Sequence, residues 1–144
     1  MGVNVLFGFL LPWVFGAFLY TKDKQLVIKT IPIGIIISFF MNIKGCRYWV
    51  LKPRMKRKQY RSIYPLNLGY FPVVASLMIY WNQQSFLSRS TGIILFTVLS
   101  SIAELLAVAV GKLEYKNRWN IYKTLLTYFI PYSLIELYYG RVKA

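Results

Sequence analysis

Five stretches of the chain stay apolar for about the length a helix needs to cross a bilayer: residues 3–20, 25–43, 63–81, 92–111 and 120–139. A transmembrane helix takes about 20 mainly apolar residues, range roughly 17–25. Backbone groups in hydrocarbon must be paired within the segment or around a closed barrel. A barrel strand alternates apolar and polar residues, and runs such as "IGIIISFF" do not alternate. Helix is the remaining choice. Pro12, Pro32, Pro72 and Pro131 fall inside these stretches, and membrane helices tolerate such prolines with local kinks. Of the 144 residues 57% are hydrophobic and 18% aromatic, with mean hydropathy +0.47. A soluble domain of this size could not hide so much apolar surface. The expected fold is an all-α integral membrane bundle of five transmembrane helices, one domain over residues 1–144.

Charge sets the expected orientation. The net charge of +14 would raise nucleic acid as a partner if it covered a soluble surface. Here the basic residues cluster between apolar stretches, where membrane proteins keep them, so nucleic acid is not expected. The loop 44–62 carries Lys44, Arg47, Lys52, Arg54, Lys56, Arg57, Lys58 and Arg61, and the next loop on that side adds Lys112, Lys116, Arg118 and nearby Lys123. The opposite side holds Lys22, Lys24, Lys29, Arg89, Arg141 and Lys143. The positive-inside rule puts the N-terminus in the cytoplasm and the C-terminus outside. The stretch 25–43 is the weakest span because Lys29 lies in it. Were that stretch only interfacial, four spans would remain, with both termini outside. Its lack of a polar face beyond Ser38 and Asn42 favours five.

The N-terminal segment shows neither a basic n-region nor a small-residue cleavage site, so it reads as a retained span. Tyr20, Trp49, Tyr64, Tyr80, Trp81, Trp119, Tyr122, Tyr138 and Tyr139 fall near span ends, where aromatic side chains anchor helices at the interface.

In the fourth stretch, Thr97, Ser100, Ser101, Glu104, Ala107 and Gly111 recur at helical spacing as one small, polar stripe, opposite Leu95, Val98, Leu99, Leu106 and Val110. Small residues allow close helix approach, and hydroxyls bond across, so the stripe should face the bundle. Glu104 lies roughly 10 Å below the inner surface at about 1.5 Å per residue. Asn67, Thr124 and Tyr128 share that estimated depth, and Lys123 is shallower but long, so these are its expected partners. A charge at mid-membrane costs about 2.5–3.5 kcal/mol on insertion scales. Glu104 is therefore either a neutral polar clasp or a carboxylate that handles protons or cations. Asn67, between Pro65 and Pro72 beside Gly69, marks a bend with a polar niche. Glu136 reads as an interfacial charge. Gly8, Pro12 and Gly16 make a small-residue contact face for internal packing or a second copy.

Chemistry of other kinds is thinly supported. One cysteine and no histidine leave no zinc site, and no metalloprotease or serine-nucleophile motif is present. No catalytic residue, metal or cofactor is expected. Cys46 lies between Lys44 and Arg47, which would lower its pKa. The eight basic residues of the 44–62 loop suit anionic headgroups, at about 1 kcal/mol for each Lys or Arg near the surface.

The pieces "LPWVFGAFLYTKDKQL", "YPLNLGYFPVVASLMIYW", "SSIAELLAVAVG" and "LEYKNRWNIYKTLLTYFIPYSLIELYY" are similar to a family of small multipass membrane proteins of Bacillus-like, endospore-forming Firmicutes. The resemblance covers most of the chain, and its most specific features are the aromatic-Pro-Leu-Asn-Leu-Gly piece and Trp119-Asn120. It implies a five-helix membrane protein with an acid in the fourth helix and Trp-Asn before the last. The basic insert "RMKRKQYR" departs from the family pattern. The family carries no established activity.

The expected function is a small non-enzymatic scaffold or accessory subunit of the bacterial cytoplasmic membrane. Its basic cytoplasmic face would bind anionic lipid, and its helices would pack with a membrane partner or a second copy. The alternative is a small transport or permeability protein that uses Glu104 in a polar cleft.

Overall fold

The computed structural model describes residues 1–86 and 88–143. It is mainly helical, with helices α1 (Gly2–Lys22), α2 (Lys24–Gly45), α3 (Gln59–Gln84), α4 (Arg89–Ala109) and α5 (Ile121–Val142). Side-chain caps set three of the starts. Asp23 Oδ1 accepts from Leu26 N–H at 2.9 Å, Ser88 Oγ from Thr91 N–H at 3.3 Å, and Asn120 Oδ1 from Lys123 N–H at 3.0 Å. Helix α4 stops in a Schellman turn: Gly111 takes φ +74°, and Lys112 N–H reaches Ala107 C=O at 2.9 Å.

Successive helices run antiparallel, so the chain's ends separate. Asn4 of α1 donates to Lys52 C=O and Ser62 C=O, at 2.9 and 2.8 Å, which places the N-terminus beside the 44–62 loop. At the far end, Lys29 Nζ donates to Val142 C=O at 2.8 Å. The all-helical expectation needs one addition. Strands β1 (Trp49–Leu51) and β2 (Leu113–Tyr115) pair antiparallel, joining the two basic loops into a ribbon over one end of the bundle.

The core is apolar, built around Leu19, Leu26, Val73, Met78, Ile79 and Ile135, but the outer surface is apolar as well and several polar side chains lie inside. Phe15, Ile36, Phe40, Val98, Leu106, Leu126 and Leu137 are exposed, while Thr30, Asn42, Asn67, Ser76, Ser100 and Thr124 are buried. Helices α1 to α4 are each long and apolar enough to cross a membrane. The stretch with Lys29 is among them. It is α5 that falls short on apolarity, because its inward face is built from Thr124, Tyr128, Tyr132, Glu136 and Tyr139. Its outward face, with Leu126, Phe129, Ile130, Leu134 and Leu137, is apolar.

Helix α3 bends at Gly69. Pro72 has no N–H to return to Leu68 C=O, and that carbonyl instead accepts from Trp13 Nε1 at 3.0 Å. Gly69 also sits where α1 crosses: a Cβ there would stand 2.4 Å from Gly8 C=O. A π-helical turn, Leu6–Leu10, widens α1 at the same crossing. Gly8, Pro12 and Gly16 are all buried, and the two glycines face Leu66 and Val73 of α3, so this small-residue face packs internally.

Candidate functional site: the Glu104 clasp and the cavity beneath the ribbon

The stripe on α4 turns inward. Thr97, Ser100 and Ser101 are buried, Glu104 and Ala107 are half-buried, and Leu95, Val98, Leu99, Leu106 and Val110 are exposed. Of the partners expected from depth, Thr124 meets Glu104, and Tyr115 joins it from outside that set. Glu104 Oε1 accepts from the Tyr115 phenol at 2.8 Å and from Thr124 Oγ1 at 3.0 Å, while Trp119 Nε1 donates to Thr124 Oγ1 at 2.8 Å. One carboxylate oxygen thus ties the ribbon, through Tyr115, to the first turn of α5.

Tyr128 also lies beside Glu104, and the remainder of the expected polar cluster is dispersed. Asn67 is fully buried one helix away, where its Oδ1 accepts from Asn42 Nδ2 at 2.7 Å and its C=O from Ser38 Oγ at 3.1 Å. Within residues 31–43 of α2, Ser38 and Asn42 are the polar positions, four residues apart and so on one face, and both reach Asn67. Ser100 Oγ shares a 2.5 Å hydrogen bond with the Tyr132 hydroxyl, and Ser101 Oγ returns to Thr97 C=O at 2.8 Å. Thr97 Oγ1 and Asn67 Nδ2 are buried without a hydrogen-bond partner. Tyr128 stacks against Tyr132 with centroids 6.3 Å apart. Lys123 points away, its Nζ 3.4 Å from Arg118 C=O and 6.0 Å from the Tyr48 ring centroid. Helix tilt and the ribbon cause the split, since depth along separate helices does not say which faces meet.

The basic loop is not a uniform cationic brush. Glu114, opposite Val50 in the ribbon, pairs with Arg54 and, at 3.4 Å, with Lys52. The Arg54 hydrogen bond holds the Glu114 carboxyl below its ordinary range, and Lys52 adds to the effect. Lys44 Nζ lies 4.2 Å over the Phe40 ring. Arg47, Lys56, Arg57, Lys58 and Arg61 remain exposed with no ion pair among the described residues. Cys46 departs from expectation: burial pushes its thiol up to about 11, outweighing the neighbouring cations. Two of the aromatic anchors also turn inward, Trp49 under the ribbon and Tyr139 onto Gln83 Nε2 at 3.0 Å.

Beneath the ribbon lies a cavity of about 500 Å³, with all five helices and both strands in its wall. Glu104, Asn42, Ser38 and Tyr128 reach it, and most of the remaining wall is apolar. At the opposite end, Glu136 is more enclosed than an interfacial charge, at 9% exposure. It accepts from Asn82 Nδ2 at 2.9 Å and sits 3.6 Å from Arg89 Nε. Among the described residues no group of three or more His, Cys, Asp or Glu could hold a metal ion.

No protein-family model, curated protein or solved structure matches the chain.

Proposed function

We propose that the chain is a non-enzymatic, five-span protein of the bacterial cytoplasmic membrane, a scaffold or accessory subunit whose basic end faces the cytoplasm and engages anionic lipid. The family resemblance of its motifs supports the five-helix fold and the membrane location alone. One observation carries the reading: exposed Arg47, Lys56, Arg57, Lys58 and Arg61 share an end with the N-terminus and the ribbon, above helices whose outer surface is apolar. The apolar outward face of α5 supports a fifth span, since lipid tests the face a helix presents rather than its mean composition. Exposed cations near an anionic leaflet gain about 1 kcal/mol each.

The test is lipid selection. The protein is reconstituted with equal phosphatidylglycerol and phosphatidylcholine, extracted, and its retained lipid weighed by mass spectrometry. Enrichment of phosphatidylglycerol that falls when Lys56, Arg57 and Lys58 are changed together to Gln is the expected result. Equal retention of the two lipids by the native chain overturns the reading.

The position of Glu104 on the cavity wall supports a second reading, a transport or permeability protein. Glu104→Gln separates the two. Loss of a proton or solute flux with lipid selection intact favours transport; no flux in either protein favours the scaffold.

A further inference from the structure

We infer that the cavity beneath the ribbon seats one hydrocarbon chain of an anionic lipid whose headgroup rests at the ribbon's edge. This rests on the membrane reading above and names what the basic end holds. The wall is built from side chains such as Ile37, Leu66, Phe71, Leu113 and Ile135. An apolar cavity stays dry, and an unfilled one forfeits the dispersion contacts of its lining. Its rim includes Val3, Phe7 and Val110, at 53%, 59% and 79% exposure, so the space communicates with the apolar outer surface. In a bilayer the medium at that surface is lipid chains. A methylene takes about as much room as a water's share of the liquid, roughly 30 Å³. At about 500 Å³ the cavity has room for one long chain.

Charge at the mouth selects the headgroup. Among the described residues Lys112 is the only cationic one in the wall, and it lies at the ribbon end. Lys52 N–H bonds Lys112 C=O at 2.9 Å, but the Lys52 ammonium is paired with Glu114 at 3.4 Å, so Lys112 carries the charge that selects the headgroup. Glu104, the one acid in the wall among the described residues, has Oε1 engaged by Tyr115 and Thr124 and holds the ribbon in place over the lipid chain. A phosphate headgroup beside Lys112 with its chain running toward Gly34 and Ile135 satisfies both ends of the space.

Native mass spectrometry of the detergent-purified, delipidated protein, titrated with phosphatidylglycerol or phosphatidylcholine of equal chain length, tests this. The expected result is one phosphatidylglycerol retained per protein, at lower concentration than phosphatidylcholine. Ala103→Trp fills the cavity from its exposed rim and raises the half-saturating concentration by roughly tenfold or more. Lys112→Gln leaves the cavity open and narrows the preference between the two lipids. If Ala103→Trp does not fold, Lys112→Gln alone decides. A preference unchanged in Lys112→Gln, or single-lipid retention unchanged in folded Ala103→Trp, overturns the inference. Phosphatidylglycerol enrichment that depends on Lys56, Arg57 and Lys58 would survive those results, so the broader reading fails separately.

Discussion

The Tyr115 phenol donates to Glu104 Oε1 at 2.8 Å, linking a residue of the ribbon to an acid within α4. Thr124 Oγ1 reaches the same oxygen at 3.0 Å, so three successive elements, α4, β2 and α5, converge on one atom. Hydrogen bonds to a charged group are worth about 1.5–3 kcal/mol each. Glu104→Gln keeps an amide oxygen to accept both, and a small loss of stability is expected. Glu104→Leu strands both hydroxyls and should cost about 2–4 kcal/mol. Thermal unfolding in detergent measures each. A double-mutant cycle of Glu104→Leu with Tyr115→Phe should give a coupling of about 0.5–3 kcal/mol; additivity would show that the clasp is not energetic.

The same contact has an alkaline limit. Burial chiefly raises the Tyr115 phenol, to about 12, and the Glu104 carboxylate adds to the rise while the Thr124 hydrogen bond opposes it. The folded state therefore holds this proton more tightly than an unfolded chain, whose tyrosine titrates near 10. That stabilisation is complete below pH 10 and is lost as pH rises from 10 through 12. The difference in melting temperature between the native chain and Tyr115→Phe should be steady up to pH 10 and shrink above it. A difference that stays constant to pH 12 would contradict the assignment.

Where α1 crosses α3 there is no room for a side chain. A Cβ on Gly69 would stand 2.4 Å from Gly8 C=O and 2.7 Å from Phe9 Cα, both backbone atoms that cannot swing aside. Gly69→Ala is expected to cost about 2 kcal/mol or more and to lower the yield of folded protein. Gly2→Ala, which meets nothing within 4 Å, is the control and should be silent.

Cys46 should be slow to react. With its thiol pushed up to about 11, little thiolate exists at pH 8.5. Alkylation in the folded protein is expected to be roughly tenfold or more slower than after unfolding in detergent, and to speed up as pH climbs toward 11. Equal rates would mean that the thiol is neither buried nor shifted.

Much of the helical frame was legible in local chemistry. The apolar stretches marked the helices, and the caps at Asp23, Ser88 and Asn120 and the stop at Gly111, which the structure adds, fix their boundaries by mechanisms that act over a few residues. The inward turn of Thr97, Ser100 and Ser101 follows from helical spacing in the same way. The ribbon is different. Trp49–Leu51 and Leu113–Tyr115 are three-residue strands whose pairing is entirely long-range, and among lysines and arginines they read as loop. The Glu104–Thr124 contact was legible from depth along the helices, but Tyr115 and Trp119 arrive by way of that ribbon and were hidden with it. The fifth helix illustrates the same limit. Its mean apolarity is lowered by tyrosines that face inward, and only packing reveals that its outer face is apolar.

The most direct measurement is sided labelling. In a Cys46→Ser background, single cysteines replace Arg57 at the ribbon end and Lys143 after α5, and intact cells are treated with a maleimide that cannot cross the membrane. The account predicts that position 143 is labelled in intact cells and position 57 only in inverted vesicles. Labelling of both positions from the same side would contradict the five-span topology on which the lipid-binding account stands.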